Sequence, residues 1–200
     1  MKKKTILSLF DYSGRWSQPY KENGYDVYQI DIKLGLDILE LTPDDFPFED
    51  VYGILAAPPC TDFAGSGAQY WGAKDADGRT DSSLALVRKT LDFVDFYSPH
   101  FWVLENPVGR LPKLLPRLGA PWYFHPHEFA DYLSGSDAER ECYTKRTGLW
   151  GDFNRPVKKE LPVSPGGSWI MKLGGKSERT KELRSMTPLG FAYAFYESNK

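Results

Sequence analysis

The 200-residue chain is short of cysteine and histidine, carries no excess of either charge, and has no apolar run long enough to cross a bilayer. Each shortage excludes something. Two cysteines, Cys60 and Cys142, are too few for a disulfide framework and point to a reduced, intracellular setting. His100, His125 and His127 are scattered and bring no accompanying ligand cluster, so no metal is expected. With 25 Lys and Arg against 27 Asp and Glu, the overall field does not draw the chain to nucleic acid, and any such site must be a local patch. After the basic Met-Lys-Lys-Lys start, the apolar stretch from Thr5 to Phe10 is too short for a signal peptide. The expected location is therefore the cytoplasm, with no membrane partner. At 41% hydrophobic residues over this length, one globular domain spanning 1–200 is the working expectation.

What the chain does have is a sharply punctuated stretch, Gly53-Ile54-Leu55-Ala56-Ala57-Pro58-Pro59-Cys60-Thr61. The apolar run reads as a buried strand, and the two prolines end it by removing two donors and fixing φ. Cys60 then stands at the strand's carboxyl end, where ligands bind in open α/β sheets. It is either a nucleophile or one more buried thiol. A second apolar strand, Phe101 to Leu104, ends in Glu105-Asn106-Pro107. If the two strands are parallel neighbours, Cys60 and Glu105 share a crevice, and Glu105 either acts as an acid toward a substrate ring or caps the next turn.

Upstream, the strand Thr5 to Phe10 breaks at Asp11-Tyr12-Ser13-Gly14, a helix-compatible segment follows from Trp16 to Asn23, and Asp26 to Asp31 is a second strand. This βαβ unit suits a nucleoside ligand. Asp31 is placed to accept from ribose hydroxyls or to cap the turn behind it, and Asp37 to reach a base or to serve as a turn residue. A single glycine in the first turn argues against a dinucleotide. The polar, Gly-containing run from Phe63 to Thr80 is long enough to be a functional lid, with Tyr70, Trp71, Lys74 and Arg79 suited to a bound polyanion or base. Asp81-Ser82-Ser83 is read as the cap of a helix with Leu84, Val87, Leu91 and Val94 on one side. Trp122-Tyr123-Phe124 is another strand. Lys145-Arg146 offers a phosphate or carbonyl contact, or a solvated face. Thr187-Pro188 is read as the cap and first residue of a final helix.

Taken in this order, Phe10-Asp11-Tyr12-Ser13-Gly14, Asp31, Asp37, Pro58-Pro59-Cys60, Glu105-Asn106-Pro107, Lys145-Arg146 and Met186-Thr187-Pro188-Leu189-Gly190-Phe191 resemble the DNA cytosine-5 methyltransferase family, over almost the whole chain. The Asp-Tyr-Ser-Gly-Arg-Trp-Ser variant is similar to small phage and bacterial members; if phage-encoded, the protein would act in the cytoplasm of a bacterial host cell. The resemblance implies an α/β fold with a doubly wound, mostly parallel sheet of the Rossmann-like type that binds S-adenosyl-L-methionine. Phe10, Asp11, Tyr12, Ser13, Gly14 and Pro58 would line the cofactor, with Asp31 on the ribose and Asp37 on the adenine. Cys60 would add to carbon 6 of a flipped cytosine in DNA, and Glu105 would hydrogen-bond or protonate ring nitrogen 3. Lys145 and Arg146 would help to hold the base, and Pro59, Thr61, Asn106 and Pro107 would border it. Residues 61–80 would form the mobile catalytic loop.

Three differences from the family pattern stand out. Tyr12 occupies a position expected to be small, the Gln-x-Arg-x-Arg pattern is reduced to Tyr143-Thr144-Lys145-Arg146-Thr147, and only residues 152–185 fill the interval of the target-recognition region. So short a Gly/Pro-rich interval offers little surface for reading base edges. The expectation is low sequence specificity, a separate specificity partner, or a substrate smaller than duplex DNA. The competing readings are the same chemistry on a free cytosine nucleotide or with a modified donor, and a catalytically silent binding module.

Overall fold

The computed structural model describes residues 3–48, 50–173 and 177–200. The chain divides into two compact units, residues 1–123 with 147–153, and residues 124–146 with 154–200.

The first unit is built on β1 (Thr5–Leu9), α1 (Gln18–Glu22), β2 (Asp26–Ile30), β3 (Gly53–Ala56), α2 (Trp71–Ala76), α3 (Arg79–Tyr97), β4 (Phe101–Pro107), α4 (Leu111–Leu114), β5 (Trp122–Phe124) and β6 (Thr147–Asp152). The sheet order is β2-β1-β3-β4-β6-β5. β2, β1, β3 and β4 run parallel, and β6 joins β4 antiparallel with Glu105 opposite Leu149.

Continuous apolar strands such as Gly-Ile-Leu-Ala and Phe-Trp-Val-Leu are what a sheet covered on both faces requires. On one face, Leu7, Leu9, Ile54 and Ala56 pack with Phe93 and Val94 of α3, while Leu104 packs with Leu84 and Val87. Ile6, Leu55, Phe101 and Val103 point the other way and are equally buried. There Tyr20 of α1 stacks on Phe101 with ring centroids 5.9 Å apart. The sheet is therefore doubly wound and Rossmann-like, in the class expected from the sequence. Gly53 is required by this packing, since a Cβ there would lie 2.1 Å from the Phe101 ring in the register-paired neighbour strand.

Two local expectations change. The stretch read as a long loop suited to a lid is largely helical, with a 3-10 turn at Gly65–Tyr70 running directly into α2. α3 starts at Arg79, ahead of the Asp81-Ser82-Ser83 cap read from the sequence, because Gly78 at φ 80° makes the break itself. Asp81 falls in the first turn, where a carboxylate favours the helix dipole, and Ser83 is buried and donates to Asp62 Oδ2 at 2.6 Å.

The second unit holds α5 (Gly135–Glu141), α6 (Trp169–Lys172), α7 (Glu178–Ser185) and α8 (Leu189–Ser198). Phe124, Phe129, Phe191 and Phe195 form its aromatic core, Phe124 stacking on Phe191 at 4.1 Å. The expected cap of α8 moves from Thr187 to a residue far upstream. Pro188 precedes the helix, and the buried Glu141 carboxylate accepts from the amides of Leu189 and Gly190. A carboxylate facing two unpaired amides at the positive end of a helix outcompetes a hydroxyl. Of the 152–185 interval, residues 174–176 lie outside the described residues.

Candidate functional site

The carboxyl ends of β1, β2, β3 and β4 carry nearly all the residues singled out from the sequence, and all of these lie in the first unit. The turn after β1 is organised from inside. Asp11 is 5% exposed and accepts from Ser8 Oγ at 2.9 Å, Ser13 Oγ at 3.2 Å, and the amide and hydroxyl of Ser17 at 3.3 and 3.0 Å. Its carboxylate is thus committed to the protein, and what the turn offers a ligand is backbone. Phe10 at φ 60° and Gly14 at φ 67° bend that backbone, and Gln29 Nε2 donates to Asp11 O at 2.6 Å. Phe10 pays for a conformation that costs a non-glycine residue roughly 1–3 kcal/mol. Tyr12 does not fill the turn. Half its surface is exposed, and the Lys33 ammonium lies 5.1 Å from its ring centre.

Asp31 and Asp37 both adopt the local turn contacts that the sequence left open. Asp31 accepts from Lys33 N at 2.8 Å and Asp37 from Leu39 N at 2.9 Å, each through Oδ1. These are Asx-type contacts, which orient a carboxylate while using only one of its two oxygens. Around them Ile32, Leu34 and Leu36 are exposed, Ile32 at 71%. An apolar side chain left this open beside two acids was missed in the sequence reading, although its position directly after Asp31 was a usable signal.

β3 and β4 are adjacent and parallel, pairing Ala56 with Leu104, so the Cys60 turn and Glu105 begin from neighbouring strand ends. Asn106 ties the two ends together. It is fully buried and donates from Nδ2 to Pro58 O at 3.0 Å, while its Oδ1 has no hydrogen-bond partner. Pro58 is buried, Pro59 and Thr61 are exposed, and Cys60 and Glu105 are half-buried. The other thiol has a different environment. Cys142 is 7% exposed, donates to Ala138 O, and is pushed above the usual thiol range by burial. Of the two thiols, Cys60 is the more accessible.

Lys145 and Arg146 belong to the second unit, where Lys145 Nζ donates to Arg184 O at 2.8 Å and Arg146 is exposed. Among the described residues, no group of three or more His, Cys, Asp or Glu is placed to hold a metal. No helix among them is long and apolar enough to cross a membrane.

No protein-family model matches the chain. It is 37% identical over 125 residues to the type II methyltransferase M.DdeI of Desulfomicrobium norvegicum, a match that takes in 53% of this chain and 28% of that protein. The chain thus spans little more than a quarter of the length of the curated relative it matches. Among solved structures, one similar protein is an E. coli prophage product assigned as a DNA modification methyltransferase, with TM-score 0.48, 18% identity, and coverage of 81% of this chain and 53% of that one. Another is the Entamoeba histolytica methyltransferase EhMeth, with TM-score 0.47, 12% identity, and coverage of 90% and 62%.

Proposed function

We propose that the chain transfers a methyl group from S-adenosyl-L-methionine to carbon 5 of cytosine in DNA. The observation that carries this reading is the joined pair of segments, Pro58-Pro59-Cys60 just after β3 and Glu105-Asn106 in the last residues of β4, with Asn106 bonded to Pro58 O. The partial match to a type II methyltransferase supports it.

The residues at the ends of β1 and β2 fit the cofactor's nucleoside. Asp31 has a carboxylate oxygen left for ribose hydroxyls, Asp37 one for an amino group, and Ile32 an open apolar surface for a purine face. Phe10 to Gly14 and Pro58 border the remainder, mainly through backbone. When bound, the cofactor supplies an electrophilic methyl group on a sulfonium.

The protein's own groups prepare the acceptor. Carbon 5 of cytosine is a poor nucleophile while the ring is aromatic. Addition of the Cys60 thiolate to carbon 6 breaks the 5,6 double bond and pushes its electron pair to carbon 5. Glu105, by protonating or hydrogen-bonding nitrogen 3, stabilises the charge that would otherwise build on the ring. After methylation, loss of the carbon 5 proton and departure of the thiolate restore the aromatic ring and the free enzyme. Pro59, Thr61, Asn106 and Pro107 border the base. Such chemistry requires a base taken out of the stack.

The test is incubation with isotope-labelled S-adenosyl-L-methionine and unmodified DNA, followed by nucleoside mass spectrometry, with Cys60→Ser in parallel. Label in 5-methylcytosine that depends on Cys60 is the expected result. Label in free cytidine nucleotide but not in DNA would move the assignment to the small substrate. Cofactor binding without transfer to either would leave a binding module.

A further inference from the structure

Four consecutive carbonyls, starting at the cysteine itself, are each held by a donor. Cys60 O accepts from Phe63 N at 3.0 Å and Ala64 N at 2.9 Å. Thr61 O accepts from Lys74 Nζ at 2.5 Å, Asp62 O from Arg110 Nε at 3.1 Å, and Phe63 O from Arg110 N at 2.9 Å. Two of these donors are side-chain cations that the reaction above leaves unused, and both are out of solvent, Lys74 at 5% exposure and Arg110 at 8%.

Lys74 is the unexpected one. Lysine is almost never fully buried unless paired, and its long stem lets it reach water from most helix positions. Here its ammonium turns inward from the six-residue α2 and lies 3.0 Å from Asp62 Oδ1, whose other oxygen is taken by Ser83. Arg110 completes the enclosure with bonds to Asp75 and Thr80, and its guanidinium lies 4.9 Å from the Trp71 ring centre. A helix this short has no stability of its own, and a buried ion pair adds little net stability over an apolar one. What the arrangement does provide is geometry: the ammonium fixes the second peptide after the thiol, that of the Thr61 carbonyl.

We infer that Lys74 is a positioning residue for Cys60, setting the orientation of the thiol through the Thr61 carbonyl and the Asp62 carboxylate. The inference rests on the assignment of Cys60 as the nucleophile. It makes the segment between Gly65 and Ala76 a clamp on the nucleophile's turn, in addition to any part it has in covering a substrate.

The full chain with Lys74→Met, which keeps the stem and removes the ammonium, supplies the test through two readouts. The first is the rate of Cys60 alkylation by iodoacetamide, mapped by peptide mass, with the buried Cys142 as internal reference. With its turn released, the half-buried Cys60 should react several-fold faster. The second is methyl transfer, where kcat should fall on the order of 100-fold, as expected when a reacting group is misplaced by about an ångström, with the KM for the methyl donor little changed. Lys74→Arg, which keeps the charge and the donors, should recover part of both. If Lys74→Met does not fold, Lys74→Met with Asp62→Asn removes both charges of the pair and should show the same two changes. A folded variant whose Cys60 alkylation rate equals that of the unaltered chain overturns the inference, whatever happens to transfer. If the unaltered chain methylates nothing, the alkylation readout still decides the role of Lys74, and the failure belongs to the proposed reaction alone.

Discussion

Asn106→Asp is the most informative single change at the joined strand ends, because it replaces one NH2 by oxygen in almost the same volume. Asn106 is fully buried, its Nδ2 donates to Pro58 O at 3.0 Å, and its Oδ1 has no hydrogen-bond partner. An ionised carboxylate there would face a carbonyl oxygen with no donor to stabilise it. Burial therefore raises the folded-state pKa above the unfolded value of about 3.9. The native state then holds a proton that the unfolded chain has released, so stability falls as pH rises between the two pKa values, by about 1.4 kcal/mol per pH unit. A shift of roughly 3 units, ordinary for a buried carboxyl, puts the loss near 4 kcal/mol at pH 7. That is a large part of the 5–15 kcal/mol, roughly, that holds a domain together. Below pH ~4 the carboxyl is protonated in both states, and its O–H can take over the bond to Pro58 O, so most of the stability should return. Asn106→Leu is the control. It strands the Pro58 carbonyl at a cost of about 1–3 kcal/mol with no pH dependence of its own. Urea unfolding of all three proteins, followed by tryptophan fluorescence across pH 4 to 7.5, gives the differences directly. If the gap between Asn106→Asp and the unaltered chain is the same at both ends of that range, a carboxylate at this position is not penalised by burial and the reasoning is refuted.

Three further changes test other parts of the structure. Gly53→Ala drives a Cβ to 2.1 Å from the Phe101 ring and should cost about 1–3 kcal/mol in urea unfolding. Adding Phe101→Leu should relieve part of that cost, and simple additivity of the two changes would contradict the packing. Glu141→Gln weakens the carboxylate contact at the start of α8 and should cost about 1 kcal/mol, while Glu141→Leu leaves both amides unpaired and should cost more. Amide hydrogen exchange at Leu189 and Gly190 should rise in that same order, and unchanged exchange would refute the cap. Ile32→Asp should weaken S-adenosyl-L-methionine binding in calorimetry several-fold and leave the unfolding midpoint unmoved, because Ile32 is 71% exposed. Unaltered affinity would separate this surface from the nucleoside.

The strand ends were legible because proline marks them. Pro58-Pro59 and Pro107 close two apolar runs whose continuity already implied a sheet covered on both faces, and the two strands that lead to Cys60 and Glu105 are indeed parallel neighbours. The α3 stripe of Leu84, Val87, Leu91 and Val94 was legible for the same kind of reason, a strong period over many residues. What escaped was short or distant. α2 is only six residues long and polar, too brief to show a helical period, and nothing in Lys74 itself announces burial, since its partner Asp62 is brought close only by the turn between them. The cap of α8 escaped because a local Thr-Pro signal competed with Glu141, an acid 48 residues away in sequence from Leu189. Asp31 and Asp37 lay between these extremes. Their turn contacts were foreseeable, and the position of Ile32 directly after Asp31 was a signal left unused, but how far it is exposed came only with the backbone.

The strand β6 has a consequence for how the molecule is made. It pairs with β4 along six residues, yet it is encoded after the whole excursion from 124 to 146. Until Thr147–Asp152 leaves the ribosome, β4, with its apolar run Phe101 to Leu104, has one row of amides and carbonyls with no partner. Such an edge is a template for pairing with another chain. A chain stopped at residue 123 would therefore be a sticky fragment, not a smaller working protein.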